Sequence, residues 1–396
     1  MNYISTRGHN CAVTSARAII KGLAEDGGLF VPENIPIIDE KFLTSLLDLS
    51  YQERAKKILS LYLTDFTAEE INQCVDNAYT TEKFDTDKIV PTVEVEKNNY
   101  LLELWHGPTS AFKDMALQLL PQFISTSLKK LGDKDELVIL VATSGDTGKA
   151  ALDGFKNVDQ TKILVFYPQE GVSKIQRLQM LTQQGDNVSV FAVKGNFDDA
   201  QSGVKQIFSD SKYNEYLNEK GFKLSSANSI NWGRLLPQIV YYFSAYADLV
   251  NDKKITMGDK VNFTVPTGNF GDILAGFYAK CMGLPVNRLI CASNSNNVLT
   301  DFLKTGTYDR NREFFKTISP SMDILISSNL ERLLYHITND ATKVKSYMEK
   351  LQSTGCYQVD EATFKAIQET FSAGYLDDSA TKKCIHAVSY THLTLP

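Results

Sequence analysis

The sequence predicts an α/β protein with open, twisted, mostly parallel sheets and helices on both faces, preceded by a mainly helical N-terminal region. Three observations lead there. From about residue 96, short apolar, β-branched runs alternate with amphipathic helical stretches, the pattern of parallel strands joined by crossover helices. Two of those runs, Val-Ile-Leu-Val-Ala ending at Ala142 and Ile-Leu-Val-Phe-Tyr ending at Tyr167, are continuously apolar, as strands buried on both faces must be. Three loops at strand ends are crowded with Gly, Ser and Thr, where open α/β sheets bind ligands.

Residues 1–95 read as helical, with a break at Glu25–Pro32 where Gly27 and Gly28 stop the helix and Leu29–Val31 runs extended. The runs Tyr100–Trp105, Leu137–Ala142, Lys162–Tyr167, Val188–Val193, Val261–Pro266 and Leu289–Ala292 read as strands. Between them, Lys113–Leu131, Ala150–Lys156 and Ile273–Met282 have helical periodicity. At 396 residues the chain is too long for one compact core, which suggests two or three domains.

Composition narrows the function. A net charge of -6, with Lys and Arg dispersed among acids, gives no support to nucleic-acid binding. No apolar run approaches a membrane span, and the polar start MNYISTRGHN lacks a signal-peptide layout, so a cytoplasmic location is expected. The six cysteines form no CxxC pair, and His9 with Cys11 has no further ligands nearby, so no metal site is expected.

The first loop is His106-Gly-Pro-Thr-Ser-Ala-Phe-Lys113-Asp114, which places a lysine at a helix start. The positive end of a helix dipole, with partial burial beside Phe112, would depress the lysine's pKa and favour the neutral amine that Schiff-base chemistry needs. The plainer alternative is a solvated lysine paired with Asp114. The second loop, Thr143-Ser144-Gly145-Asp146-Thr147-Gly148, enters a helix and could cradle a carboxylate or phosphate on its amides and hydroxyls. It is not a Walker A loop, since Ala150 stands where Ser or Thr would hold magnesium. A tight strand-to-helix turn accounts for it equally well. The third loop, Thr267-Gly268-Asn269-Phe270-Gly271-Asp272, repeats the pattern and suits a phosphate monoester. Two anion cradles and a helix-start lysine on one edge of one sheet would fit a phosphorylated aldehyde cofactor and a carboxylate-bearing substrate.

In this order and spacing, HGPTSAFKD, TSGDTG and PTGNFGD resemble the threonine synthases of the fold-type II pyridoxal-phosphate class, whose fold is like that of the tryptophan synthase β subunit. YISTRG, GLAEDGGLFVP, the segment Ser226–Phe243 and the segment Ser319–Leu334 extend the likeness from about residue 3 to about residue 375. The resemblance implies pyridoxal 5'-phosphate as cofactor, bound by Lys113 as a Schiff base, with Lys113 then acting as base at the substrate's α and β carbons. It implies that Gly268, Asn269, Phe270, Gly271 and Asp272 hold the cofactor phosphate and its surroundings. Thr143, Ser144, Gly145, Asp146 and Thr147 would bind the substrate carboxylate, and Ser229, Asn231 and Arg234 its phosphate. A guanidinium can clamp phosphate with two hydrogen bonds, although a surface salt bridge is the rival reading of Arg234. His106 reads as a structural histidine. The implied reaction converts O-phosphohomoserine and water to threonine and phosphate, by a monomer or homodimer. The alternatives are a phospho-lyase of the same fold that releases 2-oxobutyrate, or an inactive relative. By the same resemblance, residues 96–132 and 236–385 form a large cofactor-binding domain and residues 133–235 a small substrate-binding α/β domain.

One departure from the family is visible. The motifs expected after Gly374-Tyr375 are absent, and residues 386–396 read as a non-native tail. The reading therefore expects an unpaired sheet edge, marginal folding and weak turnover.

Overall fold

A computed structural model describes residues 1–9, 11–143, 145–169, 172–195 and 197–392. Two all-parallel sheets organise the molecule. The first has four strands in the order Val188–Val193, Thr161–Pro168, Glu136–Ala142, Phe222–Ser225. The second has three, in the order Phe371–Tyr375, Val286–Ser293, Val261–Pro266. Glu136–Ala142 lies inside its sheet, and its last four residues are buried, which is why its sequence shows no polar alternation.

The strand read at Tyr100–Trp105 needs correcting. The chain instead forms Asn99–Leu102, paired antiparallel with Thr92–Glu96 in a separate hairpin. Its residues alternate between exposed and half-buried, as a one-sided hairpin strand does. The helix read at Lys113–Leu131 is two helices, Asp114–Leu117 and Leu120–Leu131, the second with Pro121 in its first turn. Proline lacks an N–H and is best tolerated there, where that N–H would have no partner within the helix. The N-terminal region is largely helical but also holds a pairing of Tyr3–Ser5 with Phe30–Pro32.

The helix Trp232–Asn251 runs through the centre, with sixteen consecutive buried residues from Trp232 to Ala247. A helix apolar on every side has to be enclosed by protein. Trp232 contacts the rings of Tyr3, Tyr62 and Tyr278, so the N-terminal region, the central helix and the helix Gly271–Met282 share one apolar core. Rigid packing on this helix fixes the height of Arg234, two residues from its start. The strand Phe371–Tyr375 is an edge strand, with Tyr375 and Leu376 beyond it exposed. The segment read as a non-native tail continues as the helix Asp378–His392, and residues 393–396 lie outside the described residues.

Candidate active site

The three loops do not share the edge of one sheet, as the sequence suggested. The loop at Thr143 leaves the four-stranded sheet, the loop at Thr267 leaves the three-stranded sheet, and Lys113 follows the separate hairpin. They meet at Lys113, which caps the short helix Asp114–Leu117: Asp146 of the second loop and Asp272 of the third both act on its amine. Lys113 Nζ lies 3.6 Å from Asp146 Oδ2, its side chain 11% exposed, and 5.2 Å from the Phe112 ring centroid.

Burial lowers the Lys113 pKa to about 8; the nearby Asp146 and Asp272 carboxylates counter the shift and Arg234 adds to it. The direction is the one the sequence suggested, and of the two causes named there burial is the one that acts. The helix that follows has only four residues, too few for a strong dipole, so desolvation dominates. Asp114 is not the lysine's partner. It is buried and accepts from the Thr109 amide at 2.8 Å and the Thr109 hydroxyl at 2.6 Å, which folds the first loop back on itself. His106 is similarly engaged, between Asp85 and Glu103. Burial opposes its charged form, but these two carboxylates together raise its pKa, which fits a structural part.

In the second loop, Thr143 Oγ1 accepts from the amides of Gly145 and Gly148, both at 2.9 Å. The first amides of a helix have no partner within it. With Gly148 taken by Thr143, Asp146 and Thr147 are the amides that the helix Asp146–Phe155 can offer an anion. Ser144 lies outside the described residues.

The third loop is held from outside. Ser327 Oγ donates to the Gly268 carbonyl at 3.0 Å, and the Asn329 amide and Nδ2 donate to the Asn269 carbonyl at 3.0 and 3.1 Å. In a planar trans peptide the C=O and the next N–H point in opposite directions. Tying back those two carbonyls therefore turns the amides of Asn269 and Phe270 the other way, next to the start of the helix Gly271–Met282. Phe270 holds a left-handed φ of 64°, fully buried against Phe371. Burial raises the Asp272 carboxyl to about 6, although the Ile273 amide donates to it at 2.8 Å.

Arg234 is buried, not a surface salt bridge. Its Nη1 donates to the Ala227 carbonyl at 2.7 Å, its Nε has no partner, and no carboxylate pairs with it among the described residues. Burial lowers its pKa to about 10. Ser229 lies beside the third loop: a Cβ on Gly271 would stand 3.6 Å from that of Ser229. Asn231 is turned away. Its Nδ2 donates to the carbonyls of Ile19 and Ser226, and its Oδ1 accepts from Gly233, so its polar atoms are all engaged in capping the central helix.

Sequence reasoning passed over Lys149, Gln176, Ser327, Asn329 and Arg332. Arg332 is fully buried and donates to the carbonyls of Phe30, Ser229 and Ile230 and to Asn329 Oδ1. It therefore links the holder of the third loop to the segment carrying Ser229. Ser327 to Arg332 sit inside the motif Ser319–Leu334, so the signal was present but carried no role.

Two parallel sheets whose helix-start loops converge on a buried lysine define a fold-type II α/β protein. The pattern of the family described as "Threonine synthase N terminus" matches residues 2–79. Threonine synthase of Pseudomonas aeruginosa is 39% identical over 98% of this chain and 80% of its own length. A crystal structure of PLP-bound threonine synthase from Brucella melitensis superposes with a TM-score of 0.92 at 40% identity, covering all of this chain and 82% of that one. The chain belongs to the threonine synthase family. Human threonine synthase-like 1 is 42% identical over 96% of this chain but only 52% of its own length, so the chain spans about half of that protein.

Proposed function

We propose that the chain is a pyridoxal 5'-phosphate-dependent threonine synthase, a carbon–oxygen lyase that converts O-phosphohomoserine and water to threonine and phosphate. The observation behind this is a pair of buried cations in one cluster, Lys113 with its lowered pKa and Arg234 without a carboxylate. A guanidinium taken out of water and left unpaired calls for an anionic ligand.

The residues present fit the cofactor. The outward-tied carbonyls of Gly268 and Asn269 leave amides at a helix start for its phosphate, and Lys113 supplies the amine. Asp146 and Thr147 offer amides to the substrate carboxylate, while Arg234 and Ser229 take its phosphate. When bound, the cofactor supplies an electron sink for carbanions. Lys113 Nζ, near 8, can then accept the α proton and next a β proton at working pH, where a base is most effective. Phosphate leaves from the γ carbon, the two protons taken by Lys113 return to the γ and α carbons, and water adds its hydroxyl at the β carbon while its remaining proton goes to the released phosphate, so atoms balance with no further reactant.

The test is covalent capture. After incubation with pyridoxal phosphate and borohydride reduction, the peptide containing Lys113 gains the mass of a phosphopyridoxyl group. Lys113→Ala loses both the adduct and the bound cofactor's visible absorbance. Labelling elsewhere in the chain, with Lys113 unmodified, overturns the reading. With O-phosphohomoserine the products are then threonine and phosphate. A second reading, an inactive or divergent relative, is favoured by one observation: identity to human threonine synthase-like 1 is 42%, against 39% for the Pseudomonas threonine synthase. Product analysis separates the two.

A further inference from the structure

We infer that Gln176 is a positioning residue for the Lys113 amine, acting through Asp146. The inference deepens the proposed function and rests on Lys113 being the working amine.

The two oxygens of Asp146 face different ways. Oδ2 is the atom 3.6 Å from Lys113 Nζ, while Oδ1 accepts from Gln176 Nε2 at 2.7 Å. The first is a loose ion pair and the second a firm hydrogen bond, so Gln176 sets the direction in which the carboxylate points. Lys149 Nζ stands 3.9 Å from the same Oδ1 but donates to the Thr109 carbonyl at 2.6 Å, which makes it a bystander charge rather than the holder.

Gln176 is itself fixed. It is the third residue of the helix Lys174–Leu181, where its amide donates to Ser173 Oγ and its Oε1 accepts from the Ser173 amide. That capping box anchors the side chain at the helix start and leaves Nε2 free to reach Asp146. The loop below makes room for it. Gly145 has a φ of 146°, and a Cβ there would stand 2.5 Å from the Gln176 side-chain amide. A residue with a side chain at 145 would displace the donor that, among the described residues, lies within normal hydrogen-bond distance of Asp146 Oδ1.

The charged groups around Lys113 come from several elements. Asp146 and Lys149 sit on the helix Asp146–Phe155, Arg234 on the central helix, Asp272 on the helix Gly271–Met282, and Asp114 follows the lysine itself. Among the carboxylates, Asp114 is taken by Thr109, and Asp272 accepts from the Ile273 amide. Among the described residues Asp146 alone is in ion-pair range of the amine, and its aim depends on a side chain from the helix Lys174–Leu181.

The test reads Lys113 directly in the cofactor-free full chain, by competitive acetylation across pH 6–10 with peptide mass spectrometry. Gln176→Leu removes the donor, lets Asp146 turn away and moves the Lys113 midpoint down by about one unit. Gln176→Glu places a second acid beside the amine and moves the midpoint up. Asp146→Asn sets the full loss of the ion pair. A Gln176→Leu chain that titrates like the unaltered one overturns the inference, and so does an Asp146→Asn chain with no shift. Gln176→Leu and Gln176→Glu moving in the same direction would indicate a merely structural effect and also overturn it. If the midpoints move as stated while pyridoxal phosphate fails to capture Lys113, the functional reading falls and the positioning role stands.

Discussion

Arg234 shows what a single residue contributes. An arginine buried without a counter-ion is held against its own desolvation, which is a cost of several kcal/mol that packing of the central helix must offset. Replacing it by Met should leave the thermal midpoint unchanged or higher, because the unpaired charge is gone. The same change should weaken binding of O-phosphohomoserine by about 10- to 100-fold, the loss of a charge-assisted bond of about 1.5–3 kcal/mol. A thermal unfolding scan checks the first half and calorimetric titration the second; unchanged affinity would remove Arg234 from the phosphate site. Lys113 was legible in the sequence because a lysine at a Gly-Pro-Thr-Ser turn before a helix is a costly local choice. Its true partner was not legible. Asp114 is adjacent in sequence but bonded to Thr109, while Asp146 belongs to another sheet's loop. Asn231 misled for a similar reason, since its residue type suits a ligand and a helix cap equally well, and only the contacts to Ile19 and Ser226 decide.

Between elements, the crossing of two helices fixes where the lysine sits. Gly154, on the helix that follows the second loop, lies so close to the helix Asp114–Leu117 that a Cβ would stand 2.0 Å from the Leu117 carbonyl oxygen. Alanine is the better helix former by about 1 kcal/mol, but a backbone atom cannot step aside. Gly154→Ala should therefore destabilise the chain by about 2–3 kcal/mol and shift Lys113 relative to Asp146. Urea unfolding checks the first effect and the Lys113 titration midpoint the second. The central strand of the four-stranded sheet was legible because its burial leaves the continuous apolar run Leu137–Ala142, whereas Val261–Pro266 was legible from its alternation of half-buried and exposed residues. The hairpin before Lys113 was misread although it carried a signal: Asn98, with a φ of 66°, turns the chain between Thr92–Glu96 and Asn99–Leu102. The strands Phe222–Ser225 and Phe371–Tyr375 went unread because each is short and partly polar, and neighbours rather than local preference make them strands.

Across the whole molecule, two groups, the part-buried His336 and the buried Asp272, pull stability in opposite directions with pH. His336 donates to or accepts from Tyr278, and burial, reinforced by Arg332, lowers its pKa from 6.5 to about 4. The unfolded chain then binds the extra proton first, so this group costs stability as pH falls from 6.5 toward 4. Asp272 is raised from 3.8 to about 6, so the folded chain keeps a proton that the unfolded chain releases. It costs stability as pH rises over nearly the same window. Each shift exceeds two units, on the order of 3 kcal/mol, and the two largely cancel. His336→Gln removes the first, and its stability relative to the unaltered chain should then increase steadily as pH falls from 6 to 4. Parallel denaturant titrations at several pH values check this; parallel profiles for the two proteins would refute it.

The sequence by itself determined the family, the parallel α/β class, the lysine and the three loops, because each rests on local chemistry. Continuous apolar runs, helix-start turns and a misplaced cation are written in consecutive residues. Tertiary structure decided the rest. It brought loops from separate sheets to one lysine, removed Arg234 from solvent with no carboxylate paired to it among the described residues, diverted Asn231 into a cap and made Gln176 the holder of Asp146. Those outcomes depend on which surfaces meet when the core closes around the central helix, and no local pattern encodes the distance between residues that only folding makes neighbours.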